Sequence, residues 1–354
     1  MNKATSIYLD AVRLIAALIV FASHLASQEL SGGRLWFTKI FDQMAVVMFF
    51  VLSGYVIGYV AINKEKTLRV YAISRFSRIY SVVIPALILT FVLDFIGVRV
   101  NPELYMNGPW PFNTETPGQN YALSFFMLHN VWSIFQNPGI NGPFWSLSFE
   151  WFYYCIFAAA WFMRGNKRVY SLIFLALLGG PEILALLVLW YAGFYAYKAG
   201  ARRPPPLSWG SATISVACLI LTAASALHLH DSTFVIPYVL RDAILSDFAC
   251  GLFFAIHIYF APALAEKLSS LLIKFERPIR YFAAASFALY LFHRPIIQLI
   301  AAASPVPITE LTYYIAQWLI TLIVVLPLSA LCDKWKIVIK KWANQTIDRL
   351  KAGC

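Results

Sequence analysis

Residues 121–135 read YALSFFMLHNVWSIF, an apolar run that decides how this chain is threaded through a membrane. A spanning helix needs roughly 20 mainly apolar residues. This run is shorter, and one more crossing here would reverse every later connection. The placement of Lys and Arg argues against that reversal. The chain is read as ten spans near 9–28, 43–62, 79–98, 144–163, 168–180, 182–198, 207–227, 241–261, 281–303 and 310–332, with the N-terminus in the cytoplasm. The cytoplasmic connections then hold Lys3; Lys64, Lys66, Arg69, Arg75 and Arg78; Arg164, Lys167 and Arg168; Lys198, Arg202 and Arg203; Lys267, Lys274, Arg277 and Arg280; and six more after residue 332. The opposite side holds Arg34, Lys39, Arg99 and Arg241, while Arg13 and Arg294 stay inside spans. Twenty-two of the 28 basic residues thus fall on one side, as the positive-inside rule requires. Residues 121–135 are therefore read as an interfacial or re-entrant helix within a long outer segment, 99–143, rich in Pro, Gly and Asn. Connections this long are often functional.

Composition agrees with this reading. Of 354 residues, 60% are apolar and 13% charged, about half the charged share of a soluble domain. Mean hydropathy is +0.68. The expected fold is an all-α polytopic membrane helix bundle of about ten transmembrane helices with both termini cytoplasmic. It forms one membrane domain, 1–332, and a basic amphipathic tail, 333–354. Gly179-Gly180-Pro181 separates the short fifth and sixth spans and reads as a tight hairpin. The first apolar stretch resembles a signal peptide, but Asp10 and Arg13 interrupt it and no clean cleavage site follows. It is read as a retained span.

The net charge of +11 would suggest nucleic acid in a soluble protein. Here the positive-inside residues and the tail, DKWKIVIKKWANQTIDRLK, account for it. Apolar residues at helical spacing with basic residues between them suit a helix lying on an anionic leaflet. No nucleic-acid partner is expected. Cys155, Cys218, Cys250, Cys332 and Cys354 form no Cys-x-x-Cys pair, so neither a disulfide framework nor a metal site is expected. No internal repeat is evident.

Ionisable residues inside a span cost about 2.5–3.5 kcal/mol each on insertion scales, so they face a cavity or a partner. Asp10, Arg13 and His24 share the first span. Arg13 and His24 are eleven residues apart, about three turns and roughly 16 Å, so they project from one face. Arg13 lies near the cytoplasmic end and His24 in the outer half. Snorkelling beside Asp10 is the plain alternative for Arg13, and a satisfied structural histidine for His24. Glu150 enters the fourth span from outside and reaches a depth similar to His24, where a carboxylate could orient an imidazole; a structural hydrogen bond is the alternative. Arg75 and Arg78, one turn apart at the start of the third span, suit a phosphate-rich ligand, or are simply positive-inside charge. In the ninth span Ser286, Tyr290 and His293 make one polar stripe. Arg294, before Pro295, could satisfy carbonyls freed by the proline. Asp242 and Asp247 lie in the outer half of the eighth span with no clear partner.

These residues carry a resemblance. YLDAVRLIAALIVFASH at 8–24, FFVLSG at 49–54, RFSRIY at 75–80, NGPFWSLSFE at 141–150 and SFALYLFHRP at 286–295 resemble, in order and by membrane side, the motifs of acyltransferase family 3. These are bacterial membrane proteins that O-acylate surface and secreted glycans. Ser81 stands where the family often has Pro, and residues 165–280 are not diagnostic.

The resemblance implies a multi-pass protein of the bacterial inner membrane. It implies acetyl-coenzyme A, or another acyl-coenzyme A, as a cytoplasmic co-substrate, with no permanently bound cofactor. Arg75 and Arg78 become candidates for its phosphates, and Ser286, Tyr290 and His293 for lining the acyl path. His24 becomes the candidate general base, Arg13 a donor-positioning residue, and Glu150 the group that orients His24. Asp10, Ser53, Trp145 and Ser148 become candidate substrate-binding residues. Some members carry an extra hydrolase-like domain; with only a short basic tail here, the membrane domain is expected to complete transfer alone. The base must be neutral, so activity should fall as His24 protonates. A ping-pong route through Tyr290, Ser286 or His293 stays open. The alternatives to an enzyme are a glycan or small-molecule transporter or flippase, whose paired broken helices are not seen, and a structural membrane subunit.

Overall fold

A computed structural model of the protein describes residues 1–108, 112 and 115–352, with side chains described to residue 349. Ten longer helices run through it: α1 Lys3–Leu25, α2 Asp42–Asn63, α3 Leu68–Val100, α4 Trp145–Phe162, α5 Gly165–Gly179, α6 Pro181–Arg202, α7 Trp209–His228, α8 Ile244–Lys267, α9 Ser286–Ala303 and α10 Leu311–Ala352. Shorter helices include Pro102–Met106, Pro117–Phe125, Ser269–Lys274 and Glu276–Ala284. No strand occurs among the described residues.

Each expected span corresponds to one of the ten helices. Eight (all but α4 and α5) are long and apolar enough to cross a membrane, so this is a multi-pass membrane protein. The other two fall short for separate reasons. Glu150, three tryptophans and two serines lower the hydropathy of α4. With 15 residues, α5 reaches roughly 22 Å, less than the hydrocarbon thickness of about 30 Å. Large apolar side chains such as Ile88, Phe91, Phe95, Ile220, Leu252 and Ile323 are exposed on the long helices, as lipid-facing surface requires. The hairpin is present: Gly180 takes φ +85 between α5 and α6, and Pro181 opens α6, where its missing N–H costs nothing.

Three boundaries differ from the sequence reading. The run 121–135 is α-helical only as far as Phe125, followed by one 3-10 turn at Val131–Ser133. Beyond Phe125, the residues Met127, Trp132, Ser133 and Phe135 take left-handed backbone angles, and His129 and Asn130 are buried. Residues 109–111, 113 and 114 of this outer segment lie outside the described residues. The ninth span is preceded by a separate helix, Glu276–Ala284; at the break the Ser286 hydroxyl donates to the Ala283 carbonyl at 2.7 Å. The tail is not a separate helix, because α10 continues through it as 42 residues. No Gly or Pro interrupts 333–352, and Arg69 on α3 holds it by an ion pair to Asp348 at 2.6 Å and a bond to the Asn344 carbonyl at 3.1 Å.

The chain forms two compact units, 1–26 with 35–64 and 176–286, and 27–34 with 65–175 and 287–354. In the first unit α7 packs on α8, α2 on α6 and α1, and α8 on both α6 and α2. In the second, α3 packs against α10 and α4.

The α2–α6 crossing explains the glycine of FFVLSG. A methyl group added at Gly54 would overlap the Trp190 carbonyl oxygen, and one at Gly193 would overlap that of Val51. Small residues let the two backbones touch, the usual device for packing membrane helices. Gly54→Ala is therefore expected to destabilise the protein by about 1–3 kcal/mol through overpacking. A thermal midpoint unchanged in detergent would contradict that.

The first unit also supplies the partner of Asp247 that the sequence reading lacks. Arg241 bonds its carboxylate, lies 3.9 Å from Glu182, and donates to Gln43. The described cysteines are unpaired; Cys354 lies outside the described residues.

Candidate functional site

In the second unit the site is built around Arg75. Thr67 caps α3, its hydroxyl accepting from the Val70 N–H, so the helix starts well before the arginines. Arg75 and Arg78 sit in its second and third turns. Arg75 is buried and donates to the Glu65 carboxylate at 2.8 Å. Its guanidinium lies 5.6 Å from the ring centres of both Tyr71 and Tyr154. Within α4, Tyr154 donates to the Glu150 carboxylate one turn earlier. Glu65, Arg75, Tyr154 and Glu150 thus form one chain of contacts. Arg78 is half-buried and pairs with no carboxylate among the described residues. An arginine with no carboxylate partner among the described residues therefore sits one turn from one that is paired with Glu65.

The outer segment is fixed to the membrane helices of this unit by buried bonds. The Ile140 N–H donates to Asp94 on α3 at 3.1 Å. Asn141 donates to Thr90 Oγ1 and to the Leu291 carbonyl, both at 2.9 Å. Gln298 on α9 donates to the Leu104 carbonyl at 3.1 Å. Arg294 is buried within electrostatic range of Asp94 and Tyr105. Asp94 is absent from the sequence reading, although an acid inside an apolar span was the signal for it.

The predicted serines and aromatics of this unit have structural partners. Ser148 lies 3.3 Å from His129 Nε2, which donates to the Phe144 carbonyl at 2.8 Å. Tyr290 bonds Ser146 at 2.8 Å, and His293 Nδ1 bonds the Leu289 carbonyl at 2.8 Å. Trp145 is half-buried against Phe149.

His129 carries a pH dependence. Burial holds its imidazole down at about 4, against the opposing bond to the Phe144 carbonyl. In the unfolded chain it titrates near 6.5. Between those values the unfolded chain binds a proton that the folded chain does not. Stability is therefore intact above pH 6.5 and falls, by up to about 3 kcal/mol, as pH drops toward 4. Thermal midpoints in detergent should fall over that window, and less steeply in His129→Gln. Equal slopes for the two proteins would rule the histidine out as the cause.

In the first unit α1 is unbroken from Lys3 to Leu25, so Arg13 and His24 share a helix as expected. His24 is half-buried in the last turn. Asp10 lies 3.5 Å from Arg13 but bonds Arg280 more closely, at 2.9 Å. Arg280 also pairs with Glu276 at 3.0 Å, and Glu276 with Lys3 at 2.6 Å. These two cations hold the Glu276 carboxyl below its ordinary range. Ser53 accepts from the Trp190 indole at 3.2 Å, which ties α2 to α6.

The sequence profile described as an acyltransferase domain matches residues 6–334, from the start of α1 into α10. The chain belongs to acyltransferase family 3. Among curated relatives, it is 26% identical to the peptidoglycan O-acetyltransferase OatA of Listeria monocytogenes, over 86% of this chain and 50% of OatA. It is 29% identical to the acyltransferase MdmB of Streptomyces mycarofaciens, over 42% of this chain and 37% of MdmB. It is 28% identical to an O-acetyl transferase of Shigella phage Sf6, over 47% of this chain and 49% of that protein. The chain thus spans half or less of the length of each of these relatives. No solved structure matches it.

Proposed function

We propose that this member of the family is a membrane O-acyltransferase of the bacterial inner membrane. It moves an acyl group, most simply acetyl, from cytoplasmic acyl-coenzyme A to a hydroxyl of a surface or secreted glycan or glycolipid. The carrying observation is the family match, which covers 6–334 and so includes every motif named above. The names of the relatives support O-acetyl transfer, and OatA supports a sugar acceptor.

The chemistry is assigned to this chain's residues. Arg78, with Arg75 behind it, binds the donor phosphates. Arg13 positions the donor. His24 takes the proton of the acceptor hydroxyl as its oxygen attacks the thioester carbonyl. The new C–O bond forms, the C–S bond breaks, and the coenzyme A thiolate leaves with the proton from the imidazolium. Tyr290 and His293, with Ser286, flank the acyl path. Ser53 and Ser148 serve by holding α6 and the outer segment in place.

The test is thioester consumption. Purified protein in nanodiscs is given acetyl-coenzyme A and a glycan fragment, and released thiol is compared with acetyl ester on the sugar by mass spectrometry. Equal amounts of both are expected. Thiol release that no acceptor stimulates, with no ester formed, would end the proposal.

A further inference from the structure

We propose that the first unit binds one anionic phospholipid, with an acyl tail in an apolar pocket against α1 and its phosphate on Lys274 and Arg277. The proposal rests on the membrane fold and is independent of the acyl-transfer reading.

The pocket has a volume of about 370 Å³ and opens to the surface. Leu14 of α1 forms one wall, and Leu271, Leu272, Phe275, Pro278, Ile279 and Phe282 form the rest. All the walls are apolar. Small-molecule sites of about 300–1,000 Å³ normally add a few polar groups that fix a ligand's orientation. Here there are none, so the occupant of the cavity itself is a hydrocarbon chain. Its rim is apolar too: Leu271, Phe275 and Phe282 are all exposed.

The polar groups lie on the same short segment. Phe275, Pro278, Ile279 and Phe282 recur at helical spacing and make one face. Glu276, Arg277 and Arg280 fall outside it. Arg280 and Glu276 bond Asp10, Ser6 and Lys3 of α1, which clamps the segment with its apolar face toward Leu14. Lys274 and Arg277 are left exposed. Lys274 lies 5.6 Å from the Phe275 ring centre, and Arg277 pairs with no carboxylate among the described residues.

An apolar seat and two available cations within one stretch of 16 residues, 269–284, match a tail and an anionic head group. Charge complementarity selects the lipid. A zwitterionic head group brings no net negative charge, and free phosphate brings no tail. Lys and Arg stems are long enough to carry their charges from the helix flank to the head-group level above the pocket.

The full chain is purified in detergent. Lipid retention is measured by native mass spectrometry with phosphatidylglycerol, phosphatidylcholine and inorganic phosphate as separate probes. Phosphatidylglycerol should bind at least tenfold more tightly than phosphatidylcholine. Lys274→Gln with Arg277→Gln should cut that preference to twofold or less, and Ile279→Trp, which fills the pocket, should weaken both lipids. Equal binding of the two lipids by the unaltered chain would overturn the proposal. So would a preference untouched by the glutamine pair, or binding of inorganic phosphate as tight as that of the lipid. The glutamine pair changes only exposed side chains, so it keeps the test decisive if Ile279→Trp does not fold.

Discussion

Replacing His24 with alanine is expected to lower acyl transfer by about 10²–10⁴-fold, the usual worth of a general base. The protein should still insert and keep its thermal midpoint. Local structure supports the second half of this expectation. Backbone groups and Ser23 also hold the end of α1: the Ala26 N–H bonds the Ala22 and Ser23 carbonyls, and the Ser23 hydroxyl donates to the Val20 carbonyl at 2.8 Å. Alanine is also the best helix former, so the last turn should persist. A fall in rate can then be read as lost chemistry. The measurement is acetyl ester formed per mole of folded protein, with saturating donor. Donor affinity should be unchanged, because the candidate phosphate ligands lie on α3. A rate within threefold of the unaltered protein would remove His24 from the mechanism.

The helices were legible because a bilayer leaves the chain few choices. Every backbone polar group must be satisfied internally, so each apolar run of sufficient length becomes a helix. Helix ends were less legible because hydropathy reports the membrane and not the backbone. The charged tail ends the apolar run of α10, yet nothing in it stops a helix. The run 121–135 is α-helical only over 121–125, for the opposite reason. Its apolar character is high, but buried His129 is bonded to the Phe144 carbonyl and so belongs to tertiary structure, not to helical period.

The candidate residues of the two units divide the same way. Arg13, His24, Arg75, Arg78 and Glu150 stand out in sequence as charges in or beside apolar helices. Their partners do not. Glu65 precedes Arg75 by ten residues across the turn between α2 and α3. Tyr154 meets Arg75 only because α3 and α4 pack together. The bond from Tyr154 to Glu150 was within reach, because a tyrosine four residues after a glutamate lies on the same helical face. The pairing of Arg241 with Asp247 had a signal as well: opposite charges six residues apart, flanking the start of α8. What sequence spacing could not supply was burial, which separates Arg75 from Arg78.

That separation gives the second large effect. Arg75→Ala should destabilise the protein by about 3–5 kcal/mol, because it leaves the buried Glu65 carboxylate without its cation. Arg78→Ala should stay within about 0.5 kcal/mol of the unaltered protein, since its guanidinium supports no ion pair among the described residues. Their effects on the donor should be the reverse of their effects on the fold. A charged hydrogen bond is worth about 1.5–3 kcal/mol, so Arg78→Ala should weaken coenzyme A binding by about 10–100-fold. Glu65→Gln combined with Arg75→Ala should recover much of the stability lost in Arg75→Ala alone, because the orphaned charge is gone. It should not recover donor affinity beyond that of Arg75→Ala. Thermal midpoints and calorimetric titration with coenzyme A in one detergent measure both axes on the same samples. An Arg78→Ala protein that binds coenzyme A normally would show that this half-buried arginine is only positive-inside charge. A stable Arg75→Ala protein would show that Glu65 is not held by Arg75.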